Sequence, residues 1–434
     1  MVRIMENENY LLKSFLGYCM ELMGQKEWDR RYANISEYHI KIKTKPIILN
    51  EKPNKRGSTF ISHQYLCHDL TMWYLYNIHN YVHNPIICDL SLITRTIPKT
   101  LRIAEALPLL KSQSGFEIKM KNLLAEKCKE IENIFFEVIV AYLYLRNNAK
   151  KVDFLFNKSK IKFPDLLATF NNGEIYIECK RKAKESDYVR NERKYWYTQY
   201  LPVQDYLQEN YISLVLKITF HKEMNVYEDD YLYKTVLPFL KDTSNGILIN
   251  NDQITVSFYR PYFDRVNDGS TWKKYSPQFT QKLFDLNNDK YGITPCLLPE
   301  KQNSLSDYIS GIKYACAGLW YCDSPEAIKR RSLSFKRYIC EGVEQIPSEN
   351  NGAIHICYES YDGPMVEKLN FDRTYSDLIN INIANKKIKY IYLHNLRLMW
   401  PPDKNWDVEE TAFPFSRYNS TDEYFIEHPN IIAY

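Results

Sequence analysis

Apolar residues recur at helical spacing through "ENYLLKSFLGYCMELMG" and again through "HQYLCHDLTMWYLYNIHNYVH", with the turn-rich "LNEKPNKRGST" between them. Residues 1–113 are therefore expected to form a helical module of their own. From about Glu117 the pattern predicts one long helix, polar at first and then apolar on every side through "IFFEVIVAYLYL", stopping at Asn147-Asn148. The period then changes. "VDFLF", "DLLATF" and "EIYIECK" read as strands, and "RKAKESDYVRNERKYWYTQY" returns to helical spacing.

Beyond Tyr200 the chain turns irregular and tyrosine-rich, with strand patterns at "YISLVLKITF" and "GILINNDQITVSFY", so 201–323 reads as an inserted or accessory β-rich region. Alternation of helix and strand resumes in "SPEAIKRRSLSFKRYICEGVEQI", one helix with Ser324 as N-cap and Pro325 in its first turn. It continues in the strands "GAIHICYES" and "IKYIYLHNLRLMW". The expected fold is α/β: a mixed sheet flanked by helices, built from 114–200 and 324–400, with an irregular tail over 401–434 opened by Pro401-Pro402.

With 434 residues, 45% hydrophobic and 25% charged, the chain can bury the cores of two or three domains. No apolar stretch reaches the roughly 18 residues needed to span a bilayer, and the start lacks a signal-peptide layout, so a cytoplasmic protein without membrane contact is expected. The 10 cysteines include no CxxC pair and are expected to be reduced and mostly buried. HExxH, GxxxxGK[ST] and GxGxxG are all missing, which removes support for a zincin, an ATPase or a dinucleotide enzyme. Net charge is only +4, yet Lys158 to Lys194 holds ten Lys or Arg against six Asp or Glu. One window carries the whole excess.

That window contains "FPDLLATFNNGEIYIECKRKAK". A two-residue turn at Asn172-Gly173 would set Asp165 opposite Lys180 and Glu178 opposite Leu167, so that Asp165, Glu178 and Lys180 project from one face. Leu166, Ala168, Phe170, Ile175, Ile177 and Cys179 would line the other, fit for packing under a helix. Two close carboxylates repel unless a cation sits between them, and oxygen ligands suit Mg²⁺ or Mn²⁺. With a lysine alongside, these are the parts of metal-assisted phosphodiester hydrolysis. Glu137 is the one charged residue of "IFFEVIVAYLYL", so burial beside a cation is expected of it; Glu132 is expected to face elsewhere, in solvent.

Helix Glu137, then Pro164-Asp165, a turn, and Glu178-Cys179-Lys180 resemble the PD-(D/E)XK nuclease superfamily, the restriction-endonuclease-like fold. The resemblance spans about residues 117–195, with a similar closing part at 324–358. It implies that Asp165 and Glu178 bind a divalent ion, Mg²⁺ or Mn²⁺, that Glu137 and the backbone carbonyl of Cys179 complete the ligand set, and that Asp165, Glu178 and Lys180 are catalytic. It further implies an endonuclease acting on nucleic acid, DNA above all, in restriction or antiphage defence, with a protein partner in a defence complex as a further possibility. Arg181, Lys182 and Lys184 follow directly and are candidate phosphate contacts. Two alternatives stand beside this one: an RNase on the same scaffold, and a catalytically silent nuclease fold that binds nucleic acid or protein.

Overall fold

The computed structural model describes residues 6–44, 68–84, 87–156, 163–182, 186–240, 246–273, 276–286, 292–302, 308–359, 364–381, 386–399, 407–416 and 422–432. The chain is mixed α/β. Helices α1 (Glu6–Met23), α2 (Gln25–Thr44), α3 (Leu70–His83) and α4 (Leu90–Leu110) come first, followed by α5 (Phe116–Leu123) and α6 (Ile131–Arg146). The single long helix expected from Glu117 is thus two helices. Its middle, 124–130, leaves the helical path, although Leu124 still packs into the core.

Strands β1 (Lys151–Phe154), β2 (Leu166–Thr169) and β3 (Glu174–Lys182) form an antiparallel meander. After a long excursion β10 (Asn351–Glu359) pairs in parallel with β3, β11 (Lys387–Met399) in parallel with β10, and β12 (Asp407–Ser416) antiparallel with β11. The tail expected to be irregular therefore contributes the sheet's last strand. Alternation decides which face each residue takes: Ile175, Ile177, Ala353 and Cys357 pack under α6, whereas Ile354, Ile356 and Tyr358 pack with Phe335 and Ile339 of α11 (Lys336–Gln345). Helix α12 (Pro364–Asn380) connects β10 to β11. Helices α1, α3 and α4 share the core of α6 and the sheet, so the N-terminal helices are a layer over the sheet rather than a body apart.

Between β3 and β10 the chain builds a second sheet. Its strands are β4 (Val215–Phe220), β5 (Gly246–Asn250), β6 (Ile254–Tyr259), β7 (Trp272–Lys273), β8 (Gly292–Gln302) and β9 (Tyr308–Cys322), in the order β5-β6-β4-β9-β7, with β8 also paired to β9. Helices α8 (Tyr231–Val236) and α9 (Pro277–Phe284) lie within this stretch. Helix α7 (Asp187–Glu209) packs on this sheet: Trp196 and Tyr200 sit in its core, and a side chain at Gly318 would meet the Tyr200 ring at 2.5 Å. The chain returns through α10 (Pro325–Arg331), whose N-cap is Ser324. The one helix expected here is also two, broken between Ser332 and Phe335, where Leu333 N–H turns to the Asn370 side chain. Among the described residues, no helix is long and apolar enough to cross a membrane.

Candidate active site

The β2–β3 hairpin turns one residue earlier than expected. Phe170 N–H donates to the Gly173 carbonyl at 2.8 Å around Asn171-Asn172, and Leu166 pairs with Ile177. The slip moves both strands together, so the faces survive and only the partners change. Asp165 stands just outside the ladder, immediately before Leu166, with its carboxyl beside that of Glu178. Its N–H donates to the Ile177 carbonyl at 3.0 Å, and its Oδ2 accepts from the Cys179 N–H at 2.9 Å. All six residues assigned to the apolar face lie in or against the core under α6.

Glu178 is 1% exposed, and its Oε2 is buried without a hydrogen-bond donor. Burial first, and the neighbouring Asp165 second, push its carboxyl up to about 9. Burial also raises Asp165, opposed by the Cys179 N–H, and lifts Glu137 to about 7 with Asp165 as the next cause. The three acids therefore feel one another. Among the described residues, however, no group of three or more His, Cys, Asp or Glu is gathered as a metal-holding set. Asp165 and Glu178 come from the hairpin, Asp165 just before β2 and Glu178 within β3, whereas Glu137 reaches the site from α6.

Two residues that local patterns do not reveal complete the arrangement. Lys119 of α5 forms an ion pair with Glu137. It is placed there by Gly115, whose left-handed backbone (φ 80°) lets the chain pass the Phe154 carbonyl where a Cβ would come within 2.6 Å. Gln345 of α11 accepts from the Lys180 ammonium, which also pairs with Glu178, while the Gln345 amide donates to the Phe163 carbonyl at 3.2 Å. Gln345 thus ties the lysine to the segment that delivers Asp165.

The basic run divides. The Arg181 side chain points under α6 and is 6% exposed, held by Glu359 at 3.1 Å and Glu132 at 3.5 Å. Lys99 contacts the same two acids at 2.9 Å and 2.5 Å, and Arg95 reaches Glu359 at 2.9 Å. Arg181 is therefore committed to an internal network and is not placed to meet a phosphate. Glu132, expected in solvent, turns inward there with its side chain 14% exposed and accepts from the Tyr74 hydroxyl at 2.9 Å. Lys182 takes the other face, half-buried, its ammonium 5.5 Å from the Phe335 ring centroid, and burial lowers its pKa. Lys184 lies outside the described residues.

No protein-family model, no curated protein and no solved structure matches the chain.

Proposed function

We propose that this chain is a divalent-cation-dependent endonuclease that hydrolyses phosphodiester bonds, with DNA as its substrate and, by analogy with the family it resembles, restriction or antiphage defence as its setting. The six-stranded sheet with its α6 layer is read as a restriction-endonuclease-like core. One observation carries the proposal: the Asp165 and Glu178 carboxyls lie beside each other next to Lys180, and a buried Glu178 oxygen has no donor. A crowded carboxylate pair of this kind is relieved by a proton or a cation.

The donor set fits Mg²⁺ or Mn²⁺. Such ions take oxygen ligands and are commonly held by one or two carboxylates with water filling the remainder, so Asp165, Glu178 and the Cys179 carbonyl suffice, with Glu137 adding negative potential. When bound, the ion would acidify water and offset charge developing on the phosphate. Lys180, fixed by Glu178 and Gln345, offers a positioned ammonium to a phosphate oxygen or to the attacking water. The hydrogen bond from the Cys179 N–H orients the Asp165 carboxylate.

A second reading draws on a different observation. Glu137 and Glu178 each already hold a lysine, Lys119 and Lys180, which leaves Asp165 as the excess charge. That balance suits a silent scaffold that binds without cutting. Incubation of the full chain with plasmid, single-stranded DNA and RNA, with Mg²⁺ or Mn²⁺ and with chelator, separates the cases. Metal-dependent cleavage abolished by Lys180→Ala supports the nuclease, and cleavage of RNA alone moves the substrate. Binding without cleavage in any metal supports the scaffold.

A further inference from the structure

In the second sheet, Cys296 of β8 and Cys316 of β9 are direct partners in an antiparallel ladder. Directly opposed residues of such a ladder have Cα atoms about 4.5–5.5 Å apart, within the span a disulfide bridges. Alternation puts both side chains on the face covered by α7, in the cluster formed with Trp196, Tyr200 and Tyr314. The two thiols are in hydrogen-bond contact. The hydroxyls of Tyr200 and Tyr314 are buried there with no oxygen or nitrogen partner and face the Cys316 sulfur. No other described cysteine has a cysteine as its strand partner: Cys179 pairs with His355, Cys357 with Arg181 and His394, and Cys322 with Phe220.

We propose that Cys296 and Cys316 form an oxidation site, a cross-strand dithiol that a two-electron oxidant of the peroxide class converts to a disulfide without backbone rearrangement. β8 is an edge strand, with β9 as its sheet partner, and it carries Pro295 and Pro299, residues tolerated at sheet edges. The bond would staple that edge, closing a loop of about 20 residues in the unfolded chain.

The chemistry balances with hydrogen peroxide. The Cys296 sulfur, the more exposed of the two, attacks one peroxide oxygen. The O–O bond breaks, one water leaves, and a sulfenic acid remains. The Cys316 sulfur then displaces the hydroxyl, which departs as a second water with the Cys316 proton. Two thiols lose two electrons, the peroxide gains them, and one S–S bond forms. The thiol–thiol hydrogen bond and then burial keep the Cys316 proton in place, so the reaction is slow and makes a staple rather than a fast sensor.

The test is treatment of the full chain with hydrogen peroxide, alkylation, and non-reducing peptide mapping by mass spectrometry. The expected product is one cross-linked species joining the Cys296 and Cys316 peptides, 2 Da below their sum, reversed by dithiothreitol. The melting temperature should rise by several degrees in the wild type and stay unchanged in Cys296→Ser. Full alkylation of both thiols after treatment, or cross-links spread over other cysteines, overturns the proposal. The mapping needs no variant to fold and is independent of nuclease activity.

Discussion

The Asp165 and Glu178 carboxyls are close neighbours, and the Asp165 carboxylate accepts the N–H of Cys179, the residue that separates Glu178 from Lys180. One hydrogen bond therefore couples the orientation of the first acid to the strand that carries the second acid and the lysine. Neither carboxyl is free to ionise without regard to the other.

Substitution of this pair should separate chemistry from stability. Lys180→Ala and Asp165→Ala are expected to lower metal-dependent cleavage by roughly 100-fold or more, as loss of a preorganised charge-stabilising group does. Asp165→Asn should leave the melting temperature equal to or above wild type in chelator, because one like charge is removed from a crowded site. Thermal denaturation in parallel with cleavage assays checks both, and wild-type cutting by both alanine variants would place the chemistry elsewhere.

The pH dependence follows from the same acids. Folded Glu178 and Glu137 titrate near 9 and 7, above the ordinary carboxylate range, so the folded state holds protons that the unfolded chain releases near pH ~4.3. Their contribution to stability is complete below that value and is lost as pH rises toward 7 and then 9. In chelator, the melting temperature should fall across this interval, and Glu178→Gln should flatten the upper part. Added Mg²⁺ should restore stability mainly at the alkaline end, where the carboxylates are ionised.

Glu359 behaves in the opposite sense. Burial alone would raise its pKa, but Lys99, Arg95 and Arg181 lower it below the ordinary range, so its contribution is present above about pH 4.3 and is lost on acidification. Glu359→Gln and Arg181→Ala each break a buried network and should cost ~3–5 kcal/mol in urea unfolding. Arg181→Ala should leave the salt dependence of nucleic-acid binding, measured in Ca²⁺, unaltered. A flattened salt slope at wild-type stability would return Arg181 to the phosphate contacts.

Gln345→Ala tests the link from α11. It removes an acceptor from Lys180 and a donor to the Phe163 carbonyl, and a loss of ~1.4 kcal/mol in transition-state positioning corresponds to about tenfold in rate. The expected result is a drop in kcat with little change in unfolding midpoint or Mg²⁺ requirement. A kcat equal to wild type would make Gln345 a surface contact only.

Local periodicity in the sequence settled the elements nearest the site. The alternation over 166–179 sorted the hairpin's two faces, the uninterrupted apolar run placed Glu137 inside a buried helix, and Ser324-Pro325 marked a helix start. These features depend on neighbours within a few residues, where the strand and helix periods dictate side-chain direction. Even the misplaced turn left the faces intact, because a two-residue connection keeps its parity when it shifts along both strands. Partners were another matter. Arg181 meets Glu359, 178 residues away, and Lys99 meets the same acid across 260. Lys119 and Gln345 enter from helices on opposite faces of the sheet, and Glu132 is drawn inward because cations from α4 and β3 converge on it. Such pairings are set by how layers stack and by the cost of burying an unpaired charge, and only the tertiary structure decides them.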